Sequence, residues 1–167
     1  TIQDKHQLQN PLTTLLLLIK SRTYAPLLVV CSALLLFTFL EIHQVNWARK
    51  VFELGIYDRE AIAAGEIWRL LSGHFLHLNV FHASINIIAL IWIKTLFARQ
   101  QSSWHDLTFI LVLNALTGIG LWLFVASLQR YTGLSGTLHG YLVLLAFRNQ
   151  TFSWYTRVGF LVVVGIK

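Results

Sequence analysis

The chain has 167 residues, of which 56% are hydrophobic and 12% are charged. Soluble globular domains carry about 25% charged residues, so this composition indicates a membrane protein and excludes an ordinary soluble domain. The formal net charge of +6 is typical of basic cytoplasmic loops and not of a nucleic-acid surface, because so few residues are charged. We therefore expect a lipid bilayer around this chain and no nucleic-acid partner.

Two regions are predicted along the chain. Residues 1–24 form an N-terminal cytoplasmic or interfacial segment, and residues 25–167 form one helical membrane domain. A membrane-spanning helix takes about 20 mostly apolar residues, and five apolar runs are candidates, the last two of them short. The expected fold class is an all-α polytopic membrane protein whose helices form one bundle. The five predicted helices cover residues 25–42, 79–97, 107–128, 135–147 and 154–166.

The distribution of lysine and arginine predicts the orientation of these helices. Cytoplasmic loops carry an excess of both residues, which places the N-terminus in the cytoplasm. The long polar segment 44–66 and the beginning of the fourth helix then face the opposite side. The basic residues assigned to the cytoplasmic side are Lys5, Lys20, Arg22, Lys94, Arg99, Arg148 and Arg157, and those assigned to the other side are Arg49, Lys50, Arg59, Arg69 and Arg130.

Several histidines and an asparagine stand at the beginning of the second predicted helix, in the sequence GEIWRLLSGHFLHLNVFHASIN of residues 65–86. His82 and Asn86 are four residues apart and share one helix face. Two neighbouring hydrogen-bond donors can hold a developing oxyanion, but the same side chains can also join helices through interhelical hydrogen bonds. Both interpretations stay open for this segment alone. We expect His77 to be structural and His74 to face solvent or the interface.

A serine opens the fourth predicted helix, in the sequence YTGLSGTLHG of residues 131–140. A run as short as residues 135–147 favours a helix that begins below the membrane surface, where the positive end of its dipole suits an anionic intermediate at Ser135. Flanking glycines allow a substrate to approach the backbone. The alternative is packing, because Gly136 and Gly140 form a GxxxG pair.

A metal site is the third possibility, since His74, His77 and His82 lie within nine residues. Ligands on one helix need offsets of three or four, whereas His77 and His82 are five apart and the chain has no HExxH motif. We therefore expect neither a metal ligand set nor a cofactor.

Together the two segments resemble the rhomboid family of intramembrane serine proteases. The resemblance implies a rhomboid-like bundle with five of six helices in this sequence, and membrane-anchored proteins as substrates. It makes Ser135 the catalytic nucleophile, with the side chains of His82 and Asn86 and the Ser135 N–H as the oxyanion hole. The residues that match the family pattern are Trp68, Arg69, His77, His82, Asn86, Gly133, Ser135 and Gly136.

A narrower resemblance is to the rhombosortase branch, on LGIYDREAIAAGEIWRLLSGHFLHLN and YTGLSGTLHG. Many rhomboids have a tyrosine four residues after the serine, and this sequence has His139 there, as rhombosortases do. This branch implies a multi-pass protein of the bacterial inner membrane with its active site toward the periplasm. Its implied substrates carry a C-terminal GlyGly-CTERM anchoring tail.

The general base of rhomboids is a histidine of the last core helix, and no histidine follows His139. His139 is one helical turn from Ser135, where a hydrogen bond between the side chains is poorly aligned. We therefore expect the base outside these 167 residues and expect this form of the chain to be close to inactive. The alternative is an inactive rhomboid-like protein that binds transmembrane segments without cutting them.

Overall fold

The computed structural model describes residues 24–97, 102–149 and 152–165, which are mostly helical. Apart from Tyr24, the predicted N-terminal segment lies outside the described residues, as do Lys5, Lys20, Arg22 and Arg99. The helices are α1 (Ala25–Ile42), α2 (Asn46–Gly55), α3 (Arg59–Ala63), α4 (Arg69–Ser72), α5 (Val80–Phe97), α6 (Ser103–Phe124), α7 (Ser135–Arg148) and α8 (Trp154–Gly165), with a 3₁₀ turn at Gly73–Phe75. Two short strands, β1 (Tyr57–Asp58) and β2 (Arg130–Tyr131), pair antiparallel.

Each of the five predicted apolar runs forms a helix. Of these, α1, α5 and α6 are long and apolar enough to cross a bilayer, whereas α7 has 14 residues and α8 has 12. The third helix was predicted at residues 107–128, but α6 begins and ends four residues earlier. It begins there because the Ser102 hydroxyl accepts a hydrogen bond from the Trp104 N–H and so caps the first turn.

Helix α7 lies among its neighbours α5, α6 and α8, and α1 packs against α5 and α6. Their facing side chains form the main core, while large apolar side chains such as Val29, Ile88 and Leu116 are exposed on the outer faces, as lipid contact requires. The bundle therefore surrounds the helix that begins at Ser135. The buried members of this core are Leu27, Cys31, Ile87, Leu90, Ile93, Ile110, Leu134, Leu138, Tyr141 and Leu145.

Residues 43–79, here called the first loop, contain more structure than the prediction of a polar segment at 44–66 allowed. Helix α2 buries Ala48 and Phe52, which are four residues apart and so lie on one face. Phe52 packs with Ile56 and Leu76 in a second small core. This core makes the first loop a folded layer next to the bundle.

Two contacts fasten the first loop to α6. The backbone of Leu70 passes so close to Gly118 that a Cβ atom there would lie 1.9 Å from the Leu70 carbonyl oxygen. The Arg59 guanidinium donates hydrogen bonds to the carbonyl oxygens of Trp122 (2.7 Å) and Val125 (3.2 Å). A cation at the C-terminal end of a helix also interacts favourably with the helix dipole.

The first loop is joined as well to the segment that precedes Ser135. In the two-stranded ladder Tyr57 pairs with Tyr131 and Asp58 pairs with Arg130. The Arg59 N–H extends this pairing by donating to the Gln129 carbonyl oxygen at 2.9 Å. The first loop therefore holds the segment that leads into α7.

Candidate active site

Ser135 occupies the first position of α7. The residue before it, Leu134, is the N-cap and makes no side-chain cap hydrogen bond. Ser135 is partly buried, and its hydroxyl makes no hydrogen bond within the described part of the chain. A hydroxyl at a helix N-terminus, close to free backbone N–H groups, is placed where an anion is favoured.

His82 and Asn86 lie one turn apart at the beginning of α5. The Asn79 side-chain oxygen accepts a hydrogen bond from the His82 N–H at 2.8 Å and caps this end of the helix. The Asn86 amide nitrogen donates to the His82 carbonyl oxygen at 3.1 Å, and the side chain is buried. Asn79 was not predicted as a site residue, although an asparagine before an apolar run is a sequence signal for a helix start.

Gly133 brings His82 next to the residues that precede Ser135. Its φ angle is +106°, a region that residues with a Cβ atom rarely adopt. A Cβ atom on Gly133 would lie 2.6 Å from Cε1 and 3.0 Å from Nε2 of His82. The Gly133 N–H donates to the Gly73 carbonyl oxygen at 3.1 Å. Glycine is therefore required here by its backbone conformation and by the adjacent imidazole.

A cavity of about 530 Å³ lies between α5 and α7. Ser135, Asn86 and His139 contribute polar groups to its wall, and the rest of the wall is apolar. Ser135 and Asn86 therefore face the same cavity. His82 lies outside this lining and reaches the site through its contact with Gly133.

His139 is one turn along α7 from Ser135. Its Nδ1 lies 2.6 Å from the Ser135 carbonyl oxygen. A carbonyl oxygen only accepts hydrogen bonds, so Nδ1 is the donor in this contact. The His139 side chain therefore contacts the Ser135 backbone and also lines the cavity.

The other two histidines of the segment are buried in the first loop. The His77 ring meets the His82 ring edge-on, with centroids 5.2 Å apart, and the His74 ring meets Tyr131 in the same way at 5.3 Å. The His74 ring lies near the backbone of Gly133 and Leu70, and the His77 ring lies near the backbone of Phe75. Within the described residues, however, none of their ring nitrogens makes a hydrogen bond of good geometry. Burial lowers the pKa of both histidines to about 4, so both are neutral at pH 7.

The prediction that His74 faces solvent or the interface was wrong. The 3₁₀ turn at Gly73–Phe75 directs its ring under Tyr131, where only 1% of the residue is exposed. His77 is equally buried, and its ring contacts His82 of α5.

Trp68 and Arg69 hold the first loop and lie outside the cavity lining. The buried Arg69 guanidinium donates to the carbonyl oxygens of Glu53 (2.8 Å) and Ile56 (2.9 Å) and pairs with the Glu66 carboxylate at 2.6 Å. The Trp68 indole is exposed, and its N–H donates to the Leu54 carbonyl oxygen at 3.1 Å.

The GxxxG pair of α7 faces α6. A Cβ atom on Gly136 would lie 3.3 Å from Cγ2 of Thr117, and one on Gly140 would lie 3.4 Å from Cδ2 of Leu113. The packing interpretation of these glycines therefore holds, and it is compatible with a site at Ser135.

Sequence reasoning missed two buried polar contacts of α7. Thr137 donates a hydrogen bond to the Asn114 side chain, and Tyr141 donates to the Asp106 carboxylate at 2.6 Å. Asp106 also forms an ion pair with Lys94, and neither of these two side chains is exposed. Lys94 and Asp106 both lie inside the bundle, where each neutralises the other's charge.

The described residues contain no group of three or more histidine, cysteine or acidic side chains that could hold a metal ion. The histidines of the first loop and α5 instead meet aromatic rings, His77 against His82 and His74 against Tyr131.

The comparison with protein families matches the Rhomboid domain to residues 64–166, which include the first loop from Ala64 and all of α5, α6, α7 and α8. No curated protein matches the chain.

Proposed function

The chain belongs to the rhomboid family, and from that premise we propose that it is an intramembrane serine endopeptidase that cleaves the membrane segments of other proteins. Ser135 is the proposed nucleophile. The observation that carries the proposal is that Ser135 and Asn86 line one cavity, with the Ser135 hydroxyl at the N-terminal end of α7.

In the proposed reaction the Ser135 Oγ attacks the carbonyl carbon of the scissile peptide and forms a tetrahedral intermediate with a negatively charged oxygen. The proposed donors to this oxygen are the Ser135 N–H and the side chains of His82 and Asn86. The Asn86 amide has two protons, of which one binds the His82 carbonyl oxygen, so the other is free for the oxyanion. Collapse of the intermediate breaks the peptide C–N bond and releases the amine fragment, which takes up the proton that the general base received from Ser135. The acyl group stays on Ser135 Oγ until water or another nucleophile attacks its carbonyl carbon and restores the free hydroxyl.

The proton of Ser135 has to pass to a general base. His139 is poorly suited to this role, because it lies one turn along the same helix and its Nδ1–H binds the Ser135 carbonyl oxygen. Rhomboid proteases use a histidine of a later helix, and we assign the base to a histidine outside the described residues. His139 then forms part of the cavity wall beside Ser135 and Asn86 and is not the general base.

We propose that α1, α5, α6, α7 and α8 are five of six bundle helices, and that the Ser135 end of α7 faces the periplasm of a bacterial inner membrane. The 14 residues of α7 extend roughly 21 Å, less than the hydrocarbon thickness of about 30 Å. Its N-terminal end can therefore lie below the membrane surface, where the cavity gives water and substrate access to Ser135.

The proposed substrates are membrane-anchored proteins with a C-terminal GlyGly-CTERM tail. Support comes from the LHG sequence that contains His139 and from the resemblance of the first loop to rhombosortases. Small residues suit this chemistry because a sequence of low helix propensity unwinds more easily and presents its backbone to Ser135.

The central test is labelling by a fluorophosphonate of the protein expressed from its native gene in membranes. We expect the wild type to be labelled and the Ser135→Ala variant to lose labelling by at least about 1,000-fold, since a serine hydrolase without its nucleophile keeps almost no turnover. The matched control is Ser84→Ala on α5, between His82 and Asn86, which should label like the wild type.

Equal labelling of Ser135→Ala and the wild type, or labelling of neither, would contradict the proposal and favour an inactive relative that binds transmembrane segments. The substrate is tested separately in vesicles that contain a tailed protein and a general rhomboid substrate. We expect the tailed protein to be cut in preference to the general substrate. Cleavage of the general substrate alone would exclude GlyGly-CTERM proteins as the substrates of this enzyme.

A further inference from the structure

The N-terminal end of α7 lacks a cap from its own N-cap residue. The first N–H groups of a helix have no intrahelical acceptor, and a serine, threonine, aspartate or asparagine at the N-cap normally accepts from one of them. The N-cap here is Leu134, which has no side chain able to do so. The first backbone bond of this turn runs from the Leu138 N–H to the Leu134 carbonyl oxygen at 2.9 Å. The N–H groups of Ser135, Gly136 and Thr137 precede it and need acceptors from elsewhere.

Tyr131 supplies one such acceptor. Its phenolic oxygen lies 3.2 Å from the Gly136 nitrogen and accepts the hydrogen bond of that N–H. Gly136 is the second residue of α7, a position whose N–H an N-cap side chain commonly binds. A Cβ atom on Gly136 would lie 3.2 Å from the same phenolic oxygen, so the glycine permits this close approach.

The first loop holds Tyr131 in place. The Tyr131 backbone pairs with Tyr57, and the Tyr131 ring lies edge-on against the buried His74. The Tyr131 carbonyl oxygen lies 3.2 Å from the position that a Cβ atom on Gly73 would occupy. The position of the phenol is therefore set by residues of the first loop and not by α7.

We infer that Tyr131 is a positioning residue for Ser135. The Tyr131 hydroxyl caps α7 and fixes the first turn of that helix. With the Gly136 N–H engaged by the phenol, the Ser135 N–H remains for the oxyanion and the Ser135 side chain keeps one orientation relative to the cavity. The hydroxyl also couples the first loop to the nucleophile. This inference rests on the proposed function and adds a residue that the proposed mechanism does not use.

The test removes the hydroxyl alone. Tyr131→Phe keeps the ring against His74, and the control Tyr57→Phe removes a hydroxyl from the paired residue of the ladder, where it contacts Arg59. Fluorophosphonate labelling is followed over a range of probe concentrations. We expect Tyr131→Phe to lower the maximal labelling rate by about five- to twentyfold at an unchanged half-saturating concentration, and Tyr57→Phe to stay within about twofold of the wild type.

Hydrogen exchange of the first turn of α7 gives a second readout that does not need activity. Loss of a helix cap should speed exchange at residues 135–138 by at least about threefold in Tyr131→Phe and leave it unchanged in Tyr57→Phe. An unchanged exchange rate in Tyr131→Phe would overturn the inference even if the protein were not labelled at all.

The labelling outcomes separate the two claims. A wild-type protein that is labelled through Ser135, together with a Tyr131→Phe variant that is labelled equally fast, would leave the proposed function intact and overturn the role of Tyr131. Equal losses of rate and of thermal stability in both phenylalanine variants would also overturn it, because the ladder and not the cap would then be responsible.

Discussion

Helix α7 carries two polar regions that differ in how completely their hydrogen bonds are formed. At its N-terminal end, the partly buried Ser135 has a hydroxyl without a described partner, next to a cavity of about 530 Å³. Six residues further on, the buried Tyr141 donates to Asp106, which also pairs with Lys94. We call these regions the open site and the closed cluster.

The difference shows two uses of polar side chains in apolar surroundings. Burial of a polar group without a hydrogen-bond partner costs free energy where water is absent. A cluster in which every polar group has a partner can therefore hold helices together. The closed cluster joins α5, α6 and α7 in this way. At the open site the Ser135 hydroxyl has no described partner and lies beside a cavity, an arrangement that suits reaction with a bound substrate better than helix packing.

The largest expected effect comes from breaking the closed cluster. Asp106→Ala removes the carboxylate that both Lys94 and Tyr141 bind, and the loss of one partner of a buried ion pair costs about 3–5 kcal/mol. We expect the free energy of unfolding in detergent to fall by that amount. The control Glu53→Ala breaks the half-exposed pair with Arg130 and should cost at most about 1 kcal/mol. A loss for Asp106→Ala no larger than that of the control would show that the closed cluster does not hold the bundle.

A smaller effect is expected when the open site is distorted without removing a polar group. Gly133→Ala places a Cβ atom against His82 at a φ angle of +106°, and we expect fluorophosphonate labelling to fall by about 30- to 100-fold. The control Gly65→Ala has nearly the same φ angle, +107°, and no atom within 4 Å of the new Cβ. It should cost about 1–2 kcal/mol of stability and leave labelling within about threefold. Equal loss of labelling in both variants would attribute the effect to backbone strain and not to His82.

The smallest effect concerns His74 and His77, which are buried like the closed cluster but whose ring nitrogens make no hydrogen bond of good geometry among the described residues. Burial lowers their folded-state pKa to about 4, below the usual 6.5, so the neutral form is favoured in the folded protein. Their contribution to stability is complete above pH 6.5 and is lost as the pH falls toward 4. At pH 5 each histidine should destabilise the fold on the order of 2 kcal/mol relative to pH 7.

Thermal unfolding between pH 7 and pH 4.5 measures this loss, and His74→Phe should reduce the pH dependence by about half. If His74→Phe and His77→Phe both kept the full dependence of thermal stability on pH, the two histidines would not be its source, because other groups would then be titrating. The variant His43→Phe, at an exposed position after α1, is the control for replacing a histidine by phenylalanine outside the buried pair.

The sequence alone determined the helical class of this protein and the approximate location of its five apolar helices, with α6 displaced by four residues. Long apolar runs have to form helices in lipid, where every backbone N–H and carbonyl needs an internal partner, so composition predicts them without knowledge of their neighbours. The motif residues were also visible in the sequence, because Ser135 stands at the start of an unusually short run and His82 and Asn86 share one helix face.

Only the tertiary structure decided which polar side chains meet. Neither the ion pair of Lys94 with Asp106 nor the contact of Tyr131 with Gly136 was predicted, and His74 was expected to face solvent or the interface. Sequence patterns report neighbours along a chain and not across a bundle. Lys94 and Asp106 meet because α5 and α6 pack side by side, and Tyr131 reaches Gly136 because β2 pairs with a strand of the first loop. The cap on the helix of Ser135 thus depends on a contact between segments some 70 residues apart, which is a property of the fold.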